Sequence, residues 1–278
     1  MAKVQIVTDS ISNLSQEEIE KYNIKIVHLN VLVDGVSYSD KDVSKETFLD
    51  LLNNAKELPK TSQPSLGHFL EVYDSFEEGT EIVSLHVASA LSGTSSAAQQ
   101  AGDMSKNSVT VIDTTFADRG QAFQVIEAAK LAQNGASVDE IVSYCEKVKD
   151  NTTLYLCVMS LDNLVKGGRV SKAKGLLSNL LNIKVIFEFK DGILTPLQKG
   201  RGVKSIEKFL HDIALPKIKE KVQKECSISF VSTTKLIDDT IEKIKEMTQI
   251  QDMHFGFTIP TVAIHTGEGA FALMHYHD

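Results

Sequence analysis

Two short stretches of the chain concentrate hydroxyl groups. One is TSQPS, Thr61 to Ser65; the other is SALSGTSS, Ser89 to Ser96. Hydroxyls next to the unpaired N–H groups of a helix start make a ready anion site. No Lys or Arg stands beside Ser92, so a monoanion such as a carboxylate suits this loop better than a phosphate, which usually recruits a cation. The plainer readings are helix capping by Ser92 or Thr94 with nothing bound, and a proline-set turn at TSQPS.

Spacing excludes three familiar uses of such a loop. A Walker-type phosphate loop needs G-x-x-x-x-G-K-[ST], and both the lysine and the spacing are missing. A dinucleotide fingerprint would follow the first strand, where the chain has VTDSISNLS. A nucleophile elbow reads G-x-S-x-G, whereas Ser92 lies in ALSGT. Three other segments carry polar chemistry. VKGGRV (Val165 to Val170) offers a helix end or a close backbone approach beside Arg169. HTGEG (His265 to Gly269) turns between two apolar runs, where His265 either faces a site or serves as a hydrogen-bonded structural residue. KGRGVK (Lys199 to Lys204) is a small basic patch after a predicted hairpin, ordinarily a solvated surface.

These residues need a frame. KVQIVTDS, EIVSLHVAS and SVTVIDTT read as strands, and helices are predicted between them. Ser15 with Glu18 and Ser137 with Glu140 have capping-box spacing, and Ser65 reads as an N-cap. Strands alternating with helices imply a parallel sheet covered on both faces, with ligand-binding loops gathered at the carboxyl edge. IKIVHLNVLVDG reads as one long β-rich run ending at an Asp-Gly turn, and ELPKTSQPS as a polar loop. After Asp150 the pattern changes to strands and hairpins, with Asp191-Gly192 as a turn, a Gly-, Lys- and Leu-rich helix after TTLYLCVMS, and an amphipathic helix that Pro216 should kink or split. The fold class is therefore α/β in two domains, 1–150 with a parallel sheet flanked by helices and 151–278 with a mixed or antiparallel sheet and helices.

The 278 residues are 42% hydrophobic and 24% charged, ordinary for a globular protein of one or two domains. A net charge of -8 argues against nucleic acid or an anionic membrane surface as the main partner. Cys145, Cys157 and Cys226 lie far apart with no ligand spacing, so neither a disulfide framework nor a metal site is expected. With no signal-peptide core and no apolar run of membrane-spanning length, a cytoplasmic location is expected.

Six segments, VTDSISNL, TSQPS, ALSGTSSAA, VIDT, LVKGGRV and HTGEGA, occur in one order along almost the whole chain. Together they resemble the DegV family of bacterial fatty-acid-binding proteins, the lipid-presenting subunits of fatty acid kinase. The resemblance implies one long-chain fatty acid enclosed between the two domains. Thr61, Ser62, Ser92 and Gly93 of domain 1–150 would bind the carboxylate, and domain 151–278 would contribute the acyl-chain pocket. Arg169 and His265 would form the polar network behind the headgroup, and Arg201 would help dock the kinase subunit. That subunit would bring ATP and the metal for a role in phospholipid synthesis, so the chain itself would be a non-catalytic monomer without a cofactor. It departs from the family pattern at Ser95, where an aromatic is common, and at Glu268, where a proline is common. Phe257, Ile259 and Ile264 are candidates for the apolar wall, with ordinary core packing as the plainer role of each.

Two other classes of function compete. A stand-alone serine hydrolase acting on an acyl ester would use Ser92 as nucleophile, His265 as base, and Asp9 or Asp113 as orienter. A small-molecule phosphotransferase would bind its own nucleotide, for which the chain has no lysine-bearing phosphate loop.

Overall fold

The apolar run before Asp9 forms β1 (Gln5–Asp9), which alternates its side chains between two buried faces. The computed structural model describes residues 4–43, 45–170, 183–221, 223–247, 250 and 252–277. They fall into two units, Met1–Asp150 with Ile259–Thr261 and Asn151–Thr258 with Val262–Asp278.

In the first unit, β1 pairs in parallel with β2 (Lys25–Val27) and β6 (Glu81–His86), and β6 with β7 (Ser108–Asp113). The order is β2-β1-β6-β7, so all four carboxyl ends share one edge. Helices cover both faces because the strands are apolar on both. Ile6, Val83 and Leu85 pack under α5 (Arg119–Gln133) and α6 (Val138–Asp150). Val7 and Ile82 pack under α3 (Leu66–Asp74) and α4 (Thr94–Gly102), whose Ala97, Ala98 and Ala101 let that helix lie close to the sheet.

The capping expectations hold. Ser15 and Glu18 form a reciprocal capping box on α1 (Gln16–Tyr22), and Ser65 caps α3. Ser137 exchanges hydrogen bonds with Glu140 at the start of α6.

Two readings of the first unit need correction. The run IKIVHLNVLV is two strands in different sheets, broken at His28–Leu29. β2 joins the parallel sheet, while β3 (Asn30–Val33) pairs antiparallel with β4 (Val36–Ser39) across Asp34-Gly35 and with β5 (Lys60–Ser62). β5 is the second correction: the segment expected to be all loop contributes a short strand. Helix α2 (Lys45–Asn54) lies between β4 and β5 in the chain.

The second unit is a six-stranded mixed sheet, β10-β9-β8-β13-β11-β12. β8 (Thr152–Val158), β9 (Ile183–Lys190), β10 (Ile193–Arg201), β11 (Gln223–Phe230) and β13 (Phe271–His277) pair antiparallel. β12 (Asp252–Phe257) runs parallel to β11. Asp191-Gly192 makes the β9–β10 turn with both residues at positive φ. Helix α7 (Asp162–Lys166) follows β8; residues 171–182 of the expected Gly-, Lys- and Leu-rich helix lie outside the described residues.

Pro216 does not split the helix, which runs without interruption from Lys204 to Glu220. It has no N–H for the carbonyl of Asp212, and the mismatch is absorbed by one π-type turn, Leu210–Ala214, between α8 (Lys204–Phe209) and α9 (Leu215–Glu220). Helix α10 (Lys235–Met247) and the part of α11 (Pro260–Thr266) from Val262 onward complete the unit. The three cysteines are buried free thiols. Among the described residues no helix is long and apolar enough to cross a membrane, and no group of His, Cys, Asp and Glu could hold a metal.

Candidate functional site

At the carboxyl edge of the parallel sheet, one buried and one half-buried carboxylate, Asp9 and Asp113, pin the loop that carries Ser92. Asp9 ends β1. Its Oδ2 accepts from His86 Nδ1 and from the Val87 N–H, both at 2.9 Å. Oδ1 accepts from the Ile11 N–H at 3.0 Å and Gln121 Nε2 at 3.2 Å. Asp113, at the end of β7, accepts from the Ser89 and Thr115 N–H groups. The path of residues 87–89 is thus fixed before the hydroxyl-rich segment begins. Ser95, at the position where the family often has an aromatic, is buried and donates to the Val87 carbonyl.

The hydroxyls themselves do not cap α4. Its N-cap is Gly93, which makes no side-chain cap bond. Ser92 Oγ and Thr94 Oγ1 instead lie 2.7 Å apart, with Thr94 fully buried and Ser92 half-buried. One of the two donates to the other, and the acceptor keeps its own proton for a further partner. The capping reading for Ser92 and Thr94 is therefore not what the helix start shows.

Thr61 is half-buried within β5 opposite Val31, and Ser62 is exposed opposite Asn30. Neighbouring strand residues point to opposite faces, so Thr61 and Ser62 address different sides of the small sheet. The two hydroxyl segments converge through a residue the sequence reading passed over. A Cβ on Gly93 would fall 2.2 Å from Gln63 Oε1, so the Gln63 carboxamide lies directly against the Gly93 backbone.

The second unit brings Arg169 and His265 together. A Cβ on Gly167 would lie 2.4 Å from His265 Nδ1, and Arg169 Nη1 donates to the Gly167 carbonyl at 2.6 Å. Only a glycine at 167 admits the imidazole so close to the backbone. Asn163, another residue the sequence reading missed, donates to the Ile264 carbonyl at 2.8 Å and ties α7 to α11. Burial, and then the Arg169 charge, push the His265 imidazole down to about 4, so it is neutral at pH 7. Burial also holds Arg169 below its ordinary value.

Arg201 requires a correction. It is the last residue of β10, an edge strand of the mixed sheet, and pairs with Ile183; the basic segment begins inside the hairpin, not after it. Of the apolar candidates, Ile264 is fully buried and Phe257 packs edge-on against Phe230 with centroids 4.5 Å apart, while Ile259 is half-buried.

The first unit also contains a Ser-His-Asp series with no catalytic access. Tyr73 OH to Ser84 Oγ is 2.8 Å, Ser84 Oγ to His86 Nε2 is 2.7 Å, and all four side chains including Asp9 are fully buried. The Asp9 carboxylate is an acceptor, so His86 donates to it from Nδ1, and Ser84 Oγ shares a hydrogen bond with Nε2. Burial raises the Tyr73 phenol well above its ordinary value. This series commits Asp9 to His86, and Asp113 to two backbone amides, leaving neither as the orienter that the hydrolase reading assigns to His265.

A two-unit α/β protein of this topology, with a hydroxyl-lined sheet edge in one unit and a half-buried Arg–His pair in the other, has close counterparts among known proteins. The DegV family model, described as that of an uncharacterised protein, matches residues 3–278. DegV domain-containing proteins of Streptococcus pneumoniae and Listeria innocua are 43% and 42% identical, each covering 100% of both chains. The chain belongs to the DegV family. Among solved structures, a fatty-acid-binding DegV family protein from Thermus thermophilus superposes with a TM-score of 0.87 at 26% identity, covering 100% of both chains. The fold is also that of DegV from Bacillus subtilis, described as a fatty acid binding protein, with a TM-score of 0.88 at 24% identity over 100% of both chains.

Proposed function

We propose that this protein binds one long-chain fatty acid and presents its carboxylate to a separate kinase subunit, which phosphorylates it with ATP to an acyl phosphate. The observation that carries the binding reading is the Ser92–Thr94 hydroxyl pair at a helix start that neither residue caps. Thr61 and Gly93 join the carboxylate set, with Ser62 beside Thr61 on the other side of β5, and Arg169 with the neutral His265 is assigned to the headgroup's polar network. Hydroxyl donors suit this task. They orient a carboxylate at about 1.5–3 kcal/mol each without the tight ion pair that would withdraw its nucleophilic oxygen. The tail supplies the larger gross gain, roughly 0.8 kcal/mol per buried CH₂ and on the order of 10 kcal/mol for a long chain. Ordering the flexible tail offsets part of that.

Native mass spectrometry of the purified protein, followed by solvent extraction, tests the reading. A stoichiometric fatty acid is expected, and Ser92→Ala or Thr61→Ala should weaken binding about 10- to 100-fold. An empty protein with no affinity for added long-chain acids overturns it.

The presenting role has its own test. Arg201 lies exposed at an edge strand, where a partner can reach it without disturbing the lipid. Arg201→Ala should leave lipid content unchanged and slow acyl phosphate formation by the kinase subunit about tenfold or more, the effect of losing one charge-assisted contact. Unchanged transfer would remove Arg201 from the docking surface.

A further inference from the structure

The carboxamide of Gln63 occupies the one place where a side chain on Gly93 would go. The three heavy atoms nearest that Cβ position all belong to Gln63: Oε1 at 2.2 Å, Cδ at 3.2 Å and Nε2 at 3.5 Å. Nothing else at Gly93 calls for glycine. Its φ of -75° and ψ of 10° are accessible to any residue. As an N-cap it makes no side-chain bond, whereas Ser or Asn would offer an oxygen that accepts from the first turn. The missing Cβ makes room for Gln63.

Gln63 is in turn aimed by its neighbours. Pro64 is buried and confines the preceding residue to extended backbone. Ser65 is locked as the N-cap of α3, its Oγ accepting from the His68 N–H. On the other side, Ser62 and Thr61 are held in register against β3. Gln63 therefore leaves a stretch of chain fixed at both ends.

From this we infer that Gln63 is a positioning residue for the ligand headgroup. By docking on Gly93 it sets the separation between the β5 hydroxyls and the Ser92–Thr94 pair, and Gly93 serves as the seat for Gln63 as well as a member of the carboxylate set. The inference deepens the proposed function and rests on it for the identity of the ligand.

The seat makes an unusual prediction. Gln63 Oε1 is the far end of a flexible side chain, so an added methyl expels the carboxamide without breaking the backbone. Gly93→Ala should then reproduce Gln63→Ala, each weakening oleate binding roughly five- to tenfold, as expected for the loss of one neutral polar contact. The double variant should be no weaker than either single one. Any capping penalty of alanine appears in both backgrounds and cancels. Gln63→Glu keeps the shape but sets a second carboxylate at the headgroup. It should bind oleate less well than Gln63→Ala and recover toward it as the pH falls through the carboxylate range, a response that a merely structural role would not give.

A readout independent of lipid is the Gln63 side-chain amide signal in ¹H–¹⁵N spectra, identified by its loss in Gln63→Ala. It should move to the position of a solvated glutamine in Gly93→Ala. Additive losses in oleate binding would overturn the inference, because Gln63 and Gly93 would then act independently. If the wild type binds no fatty acid, the proposed function fails. The seating of Gln63 is then decided by the amide signal alone: a signal that moves in Gly93→Ala upholds it, and one that does not overturns it.

Discussion

Replacing Asp9 by alanine is expected to lower folding stability by about 3–5 kcal/mol, measured as the shift in urea unfolding at pH 7. The side chain serves four donors at once: His86 Nδ1–H, Gln121 Nε2 and the N–H groups of Ile11 and Val87. His86 and Gln121 are fully buried, as is Asp9 itself, so water does not take its place without opening the sheet edge. Each stranded buried donor costs about 1–3 kcal/mol, and local relaxation keeps the total below the simple sum. Loss of the Val87 bond also loosens the start of the Ser92 loop, so fatty-acid affinity should fall along with stability. Asp9→Asn retains the shape and one acceptor oxygen but turns an NH₂ toward two donors, and its cost should fall between. A loss below about 1 kcal/mol for the alanine variant would mean that the network is held by packing alone.

How much of this was legible in the sequence depends on the range of the interaction. Short-range chemistry was readable. The Ser15–Glu18 box, the Ser65 cap, the Asp191-Gly192 turn and a helical irregularity beside Pro216 each follow from a few consecutive residues, and each is present. Strand partnership was not. IKIVHLNVLV keeps one β-like composition throughout, and nothing local marks where it leaves the parallel sheet for the small antiparallel one. Lys60–Ser62 lacks apolar alternation altogether; it is a strand because β3 offers it an edge.

The candidate site divides in the same way. Clusters of one residue type, such as the hydroxyls around Ser92, stand out along the chain. Residues that act singly through distant partners do not. Glu18 reads as a capping residue and is one, yet its two oxygens also hold Arg119, a buried guanidinium 101 residues away. Asp9 and His86 are 77 residues apart, and neither has a neighbour in sequence that hints at the other. Gln63 was hidden by the serines and threonine around it. Its partner is a glycine, whose role appears only when the space above its Cα is seen to be filled.

Acid should weaken the fold before the carboxylates titrate, chiefly through His275 and His265. His275 is 3% exposed on β13, with Nδ1 donating to Gln223 Oε1. Burial, then the positive charges of His277 and Lys217, push it down to about 4. His265 is pushed down to about 4 by burial and then Arg169. Each is neutral when folded and takes up a proton near 6.5 when unfolded, so the unfolded state binds more protons between those values. Stability is therefore full above about pH 6.5, falls as the pH drops toward 4, and has lost about 3 kcal/mol per histidine at that point. Glu18 separates cleanly from this window. Burial raises it, but the Arg119 hydrogen bonds and charge outweigh burial and hold it below the ordinary carboxylate value. Its contribution is lost only at lower pH. Urea unfolding at pH 7, 5.5 and 4.5 should show the decline in the wild type and roughly half of it in His275→Leu or His265→Leu. Parallel profiles in all three proteins would rule out both histidines as its source. The same shift bears on the binding role proposed for this pair. With His265 neutral down to about pH 4, the lasting positive charge of the Arg169–His265 pair is that of Arg169, so fatty-acid affinity between pH 6 and 8 should not follow the titration of this imidazole.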